Sequence, residues 1–275
     1  MMFSGPFLTE GTAFFHPRWQ MTSYPRTLPQ MNSSMPPTAP AEPSRHEVWR
    51  MFDRIAPRYD LLNRVLSGGR DVAWRRRMAK LLPNREGLRL LDVATGTADQ
   101  ILMLMDVAPR VTEATGVDMA EKMLEKGREK VRARGMEKQI HLKTGDAVAI
   151  PEPDAAYDVC TISFGIRNVV DVVQGLREMR RVLRPDGRAM VLEFSQPEAR
   201  WFRGLYFFYL RHVLPVLGGW FSGDREAYRY LNVTIETFPS GAAFCALMQQ
   251  AGFVNVRAVP LTLGIASIYV GDAPA

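Results

Sequence analysis

The sequence predicts an open α/β fold with a ligand crevice at the carboxyl ends of its strands. Three observations carry that prediction. The apolar run Leu88–Val93 reads as a buried parallel strand; it stops at the small residues Ala94 to Ala98, and a helical pattern follows. Further strand-like runs end at Val117-Asp118, at Thr144 (from Gln139) and at Ile162 (from Tyr157), with helical segments between them, as parallel strands require. Polar residues stand at the ends of those runs: Asp118, Asp146, and Ser163 through Asn168. Each alone is an ordinary surface residue. Together, at successive strand ends, they form one crevice above the sheet, where open α/β sheets bind ligands.

The elements follow in order. Residues 1–44 are rich in proline, serine and threonine and show no helix or strand period, so they read as a disordered extension. Met21, Met31 and Met35 offer later starts. A mitochondrial transit peptide is the rival reading, disfavoured by few arginines and many prolines. The remaining residues, 45–275, read as one catalytic-size domain. Arg45 to Leu82 is a run of short helices: Val48, Met51, Phe52 and Ile55 have helical spacing, and Asp71 to Leu82 forms a helix carrying Trp74. Its place before the first strand lets it close over the crevice as a lid.

The turn after the first strand has Gly96 but no Gly-x-Gly-x-x-Gly, so it lacks the glycine-rich pyrophosphate cradle of a nicotinamide-dependent enzyme. A strand-to-helix turn still offers free backbone N–H groups to a ligand. Asp118 lies about 20 residues beyond, where nucleotide-binding folds place a carboxylate for vicinal ribose hydroxyls. Asp171 to Leu183 reads as a helix and Arg188 to Phe194 as a fifth strand. Trp201 to Trp220 is rich in aromatics and leucine, Gly223–Glu236 and Ser240–Ala251 are helical, and the latter stops at Gly252. Phe253–Leu261 and Ile265–Val270, around Gly264, form a terminal antiparallel hairpin.

Composition limits the function classes. The 275 residues carry a net charge of +6 and are 47% hydrophobic, enough for a sizeable core and favourable to anionic surroundings. The basic clusters Arg75-Arg76-Arg77 and Arg180-Arg181 read as helix faces, and no nucleic-acid-binding pattern is present. Cys160 and Cys245 sit in apolar segments and read as core residues of a cytosolic protein, with no metal site. No apolar run reaches the ~18 residues of a membrane span.

The stretch Tyr59-Asp-Leu-Leu-Asn-Arg-Val-Leu-Ser-Gly-Gly-Arg-Asp-Val-Ala-Trp74 resembles the first signature of the ubiquinone and menaquinone biosynthesis C-methyltransferases, the UbiE/MenG type. Arg181-Val-Leu-Arg-Pro-Asp-Gly-Arg188, running into Leu192-Glu-Phe-Ser195, resembles the second. Ser163-Phe-Gly-Ile-Arg-Asn168, His212-Val-Leu-Pro215 and Tyr228-Arg-Tyr-Leu231 follow in the family's order, and the resemblance covers roughly residues 46 to 272. The sequence departs from the pattern at Leu62, Asp71, Ala98 and Asp186, where the family usually has methionine, histidine, glycine and glycine. Asp186 fits a Pro-Asp-Gly turn. Ala98 is expected at the helix start with φ below zero. No role is carried onto Asp71.

The resemblance implies the class I methyltransferase fold: a Rossmann-like seven-stranded sheet, a helical lid, and a substrate-side insertion at about 200–238. It implies S-adenosylmethionine as donor, with Gly96 and Thr97 against the methionine part, Asp118 on the ribose, Asp146 and Ala147 at the adenine, and Ser163 beside the donor. The implied acceptor is a polyprenyl quinol. Carbon methylation needs its ring activated by loss of a phenolic proton. Arg167 is assigned the electrostatic role, with a bound water as relay, and Asn168 orients the ring. His212 is the acid–base candidate, with a structural histidine as the equal rival. Tyr59, Tyr228 and Tyr230 are candidates for the acceptor pocket. Trp201, Phe202, Leu205, Tyr206, Phe208, Tyr209 and Val213 cluster at helical spacing near Arg200, Arg203 and Arg211, which suggests peripheral contact with a membrane surface. Homo-oligomerisation is left open. The competing readings are a methyltransferase for another lipophilic acceptor and an inactive scaffold of a quinone-synthesis assembly.

Overall fold

The computed structural model describes residues 48–56, 64, 67–213 and 233–275. The chain from Glu42 onward makes one compact unit. Its sheet has seven strands: β1 (Leu88–Val93), β2 (Val111–Asp118), β3 (Ile140–Thr144), β4 (Tyr157–Ser163), β5 (Leu183–Phe194), β6 (Val254–Leu261) and β7 (Ala266–Asp272). Their order is β3-β2-β1-β4-β5-β7-β6. β1 to β5 pair in parallel, and β7 runs antiparallel between β5 and β6. The expected seven-stranded sheet and terminal hairpin are therefore present. Chain order reverses between β1 and β4, and ligands bind at such a switch point.

β4 is buried at every position, and β1 at all but Arg89, as expected of strands covered on both faces. One face carries Leu88, Leu90, Met190, Leu192, Ile268 and Val270 with Trp74 and Met78; the other carries Leu91, Val93, Ile162, Val191, Phe244 and Met248. The period of two along each strand divides these residues between the two cores.

The helices are α1 (Val48–Ile55), α2 (Asp71–Met78), α3 (Asp99–Val107), α4 (Glu121–Ala133), α5 (Val172–Arg181), α6 (Arg200–Phe208) and α7 (Ala242–Gln250), with further helical residues at 233–237. Asp171 caps α5 by accepting from the Gln174 amide. α2 runs into a 3-10 turn at Ala79–Leu81, completing the segment expected through Leu82. β5 starts at Leu183 rather than Arg188. Its pairing with β4 jumps from Tyr157–Leu183 to Val159–Arg188, so the Pro-Asp-Gly turn forms an excursion within the strand. Asp186 takes φ +59° there, a conformation aspartate tolerates better than most residues. Tyr59, Tyr228 and Tyr230 lie outside the described residues, as does most of the expected 223–236 helix.

Candidate active site

A cleft of about 860 Å³, counting the space open to solvent, lies above the carboxyl ends of β1, β2 and β4. Its floor is the turn after β1. Gly96 lies there with φ +56°, and its amide donates to Asp118 Oδ2 at 2.8 Å. Oδ1 of the same carboxylate accepts from the Ala120 amide at 2.8 Å. Asp118 thus clamps two loops while lining the cleft. Burial pushes its carboxyl pKa above the ordinary value, and backbone N–H bonds from Ala120, Gly96 and Met119 oppose that rise.

Beneath the turn, Asp92 accepts from Thr95 at 2.8 Å and Thr161 at 2.5 Å. Its pKa is raised to about 6, chiefly by burial, with both threonines and Arg75 lowering it. Ala94, Ala98 and Phe164 also take φ of +50°, +63° and +59°. Ala98 therefore departs from the expected negative φ: the chain must reverse tightly between β1 and α3, and it does so in the left-handed region despite the methyl group. Two of these strained residues, Ala94 and Phe164, line the cleft with Gly96. Gly165 lets the two loops meet, since a Cβ there would lie 2.7 Å from that of Ala94.

Asp146 and Ala147 form one wall. Asp146 Oδ1 accepts from the Val148 amide at 3.1 Å, which fixes the loop after β3. Ser163 and Asn168 line the opposite wall with Phe164, Val169 and Val170. The Ser163 hydroxyl donates to Gln100 Oε1 at 3.1 Å. The roof is α1: Trp49 and Phe52 face the cleft with Met119 and Met123 below them. Asp53 ties α1 down by accepting from the Lys122 amide at 3.1 Å. Of the segment expected to close over the crevice, α1 forms this roof, whereas Trp74 of α2 is buried in the core. Trp49, Met119 and Met123 were not among the sequence candidates. The i, i+3 spacing of Trp49 and Phe52 is the signal that marks one helix face.

Of the proposed site residues, Gly96, Asp118, Asp146, Ala147, Ser163 and Asn168 come together here. Three described candidates do not. Thr97 is 2% exposed and turned away from the cleft; its hydroxyl accepts from Lys130 Nζ at 2.8 Å, and that ammonium also pairs with Asp99. The left-handed residue that follows it directs the chain into α3. Arg167 is also turned inward. Its Nη1 donates to the Phe164 carbonyl at 2.9 Å and forms a buried ion pair with Glu193 at 2.6 Å. The 3-10 turn Ile166–Asn168 presents Asn168 to the cleft and places its neighbour behind the wall. His212 is exposed on the π-helical turn Tyr209–Val213, its ring 4.9 Å from that of Phe208 and away from the cleft lining. Asp71 is buried at the start of α2, paired with Arg64 and accepting from Ser67 at 3.0 Å, so its part is to hold the preceding turn.

The residues present fit a nucleoside donor. A carboxylate lines the cleft, small residues keep the floor open, and the walls are apolar with a few convergent polar groups.

Comparison with known proteins gives a consistent result. The model of the "ubiE/COQ5 methyltransferase family" matches residues 41–272. The chain is 48% identical over 226 residues to a "Ubiquinone/menaquinone biosynthesis C-methyltransferase UbiE" of Geotalea uraniireducens, covering 82% of this chain and 96% of that protein. It is 49% identical over 224 residues to a "Demethylmenaquinone methyltransferase" of Thermus thermophilus, covering 82% and 100%. Among solved structures, a SAM-dependent methyltransferase from Aquifex aeolicus superposes with TM-score 0.53 at 18% identity, covering 72% of this chain and 89% of that one. At that identity the likeness establishes the fold.

Proposed function

The chain belongs to the ubiE/COQ5 methyltransferase family, and from that premise we propose that it methylates a ring carbon of a membrane-borne polyprenyl quinol. It is an S-adenosylmethionine-dependent C-methyltransferase of the menaquinone and ubiquinone pathways. When bound, the donor supplies an electrophilic methyl group. Asp118 accepts the ribose hydroxyls, and Asp146 with Ala147 meets the adenine. Asn168, on the wall beside Ser163, orients the acceptor ring. The roof formed by Trp49 and Phe52 excludes water from the cationic donor, which strengthens the electrostatic interactions inside.

The observation that carries this reading is the Gly96–Asp118 clamp at the floor of the cleft. The direct test supplies purified protein with donor and a short-tail quinol, kept reduced, and measures S-adenosylhomocysteine release and the mass of the product. Methylated quinol supports the reading. Absence of turnover with both naphthoquinols and benzoquinols refutes it.

Access to a membrane-borne acceptor is supported by α6. Trp201, Leu205 and Phe208, at i, i+4 and i+7, are 74%, 58% and 57% exposed, while Tyr206 and Leu210 are buried against the core. Arg200 and Arg203 flank that apolar face, suiting it to an anionic lipid surface. No described helix is long and apolar enough to cross a membrane. Residues 1–44 are dispensable on this reading, because their proline-, serine- and threonine-rich composition cannot bury enough apolar surface to offset ordering entropy. A chain beginning at Arg45 is expected to methylate as well as the full chain.

A further inference from the structure

A phenolic proton must leave the acceptor before its ring carbon is a competent nucleophile, and the two carboxylates that line the cleft, Asp118 and Asp146, are assigned to the donor's ribose and adenine. The Arg167 guanidinium offers hydrogen-bond donors and no acceptor. His212 stands on the outer surface. Asn168 does not titrate.

One carboxylate lies directly behind the wall. Glu193, near the carboxyl end of β5, is fully buried. Its Oε1 accepts from Arg167 Nη1 at 2.6 Å and from the Phe194 amide at 2.8 Å. Its Oε2 is buried with no hydrogen-bond partner among the described residues. Two more orphaned groups belong to the residues around it: Arg167 Nε, and the hydroxyl of Tyr206, which comes from α6. The groups facing this carboxylate are Arg167 from the turn after β4, Tyr206 from α6 and Tyr269 from β7. An isolated buried carboxylate oxygen is costly. Three buried polar atoms without partners, on Glu193, Arg167 and Tyr206, lie behind the cleft's lining and leave this carboxylate short of a hydrogen-bond donor. The guanidinium that holds Glu193 also grips the Phe164 carbonyl, and Phe164 and Asn168 line the cleft.

We propose that Glu193 is the group that takes the acceptor's hydroxyl proton, with Arg167 and Tyr206 positioning it. This rests on the quinol reading above. The acceptor O–H bond breaks and its proton goes to Oε2, leaving the electron pair on the ring oxygen. The ring carbon uses that pair to form the new C–C bond as the sulfur–methyl bond breaks and its electrons stay on sulfur. The ring C–H proton then passes to the ring oxygen, restoring the aromatic ring, and Glu193 releases its proton to solvent. Burial raises the carboxyl's affinity for a proton, in the direction this task requires.

The test uses the full chain and Glu193→Gln, with two acceptors: an ordinary short-tail hydroquinone, and a halogenated hydroquinone whose hydroxyl is already ionised at the assay pH. With the ordinary acceptor, E193Q is expected to lose at least about 100-fold in kcat, with KM and S-adenosylmethionine affinity by calorimetry little changed. It is also expected to lose the acidic limb of the pH–rate profile. The pre-ionised acceptor restores most of the rate, and Glu193→Asp retains part of it with either acceptor. Equal loss with both acceptors, or an unchanged acidic limb in E193Q, overturns the proposal. If E193Q does not melt cooperatively, the wild-type profile decides: an acidic limb seen with the ordinary acceptor and absent with the pre-ionised one supports Glu193, and the same limb with both refutes it. Failure of the wild-type chain to methylate either acceptor is the separate result that refutes the quinol reading itself.

Discussion

The Gly96 amide lies 2.8 Å from Asp118 Oδ2, so the residue assigned to the donor's ribose is the same one that holds the floor of the cleft closed. Binding and shape therefore depend on one side chain. Asp118→Ala removes the acceptor for the ribose and releases the amides of Gly96 and Ala120 together. Hydrogen bonds to a charged group contribute roughly 1.5–3 kcal/mol each. The expected result in calorimetric titration is a fall in S-adenosylmethionine affinity of at least about tenfold. Unchanged affinity removes Asp118 from the site.

Ala98 stores strain in the fold. At φ +63° it occupies the left-handed region at the start of α3, fully buried. Glycine adopts that conformation without the steric penalty. Ala98→Gly is expected to stabilise the protein by about 1 kcal/mol, less the entropy glycine gains in the unfolded chain. Urea unfolding checks this: the midpoint moves up with an unchanged slope. A lower midpoint means that packing of the methyl group outweighs its strain.

Asp92 sets a pH dependence whose sign follows from burial. Its pKa rises from 3.8 to about 6 on folding. At low pH the group is protonated in both states and carries no penalty. As pH rises through the folded value, the native state must hold a buried charge that the unfolded chain holds freely, and stability is lost. A shift of about two units corresponds to roughly 3 kcal/mol, developed between about pH 4 and pH 6. Asp92→Asn removes this contribution. Denaturant titrations of both proteins at pH 4 and pH 7 are expected to show the variant gaining on the wild type by that order as pH rises. A constant difference across the range assigns the pH dependence to other groups.

The strands were legible because each parallel strand announces itself as an apolar run ending in small or polar residues, whereas their order in the sheet comes from the structure. The seven-stranded sheet and its terminal hairpin follow from those runs together with the family resemblance. Asp118, Asp146 and Ser163 were legible for the same reason: the end of a strand fixes the height at which a side chain stands. What the sequence hides is rotation within turns. Arg167 and Asn168 are neighbours, and only the 3-10 geometry determines that Asn168 faces the cleft while Arg167 turns to Glu193, 26 residues away. Thr97 is sent to Lys130 by the left-handed residue after it. His212 follows a change from α-helical to π-helical winding at Tyr209, which shifts the face each later residue occupies and defeats a 3.6-residue period.

The apolar face proposed to meet a membrane lies on α6, just before that change of winding. Trp201, Leu205 and Phe208 project from α6, while Tyr206 turns inward and Phe202 is half-buried. Arg211 is held by two bonds to Glu236, at 2.8 and 2.6 Å, and so is less available to head groups than Arg200 and Arg203. An apolar face of three large side chains beside two cations is suited to weak, reversible binding at an anionic interface, reinforced by charge and weakened by salt. The protein is expected to float with vesicles containing phosphatidylglycerol, to float less in high salt, and to bind neutral vesicles poorly. Replacing Trp201, Leu205 and Phe208 by serine removes the apolar contribution while leaving both arginines. That variant is expected to lose flotation yet methylate water-soluble short-tail quinols at the wild-type rate, because none of the three residues lines the cleft. Its rate on long-tail quinol embedded in vesicles falls. If the triple variant floats like the parent, the lipid contact lies elsewhere on the molecule; if it loses short-tail activity as well, α6 serves the fold of the acceptor side and not the membrane.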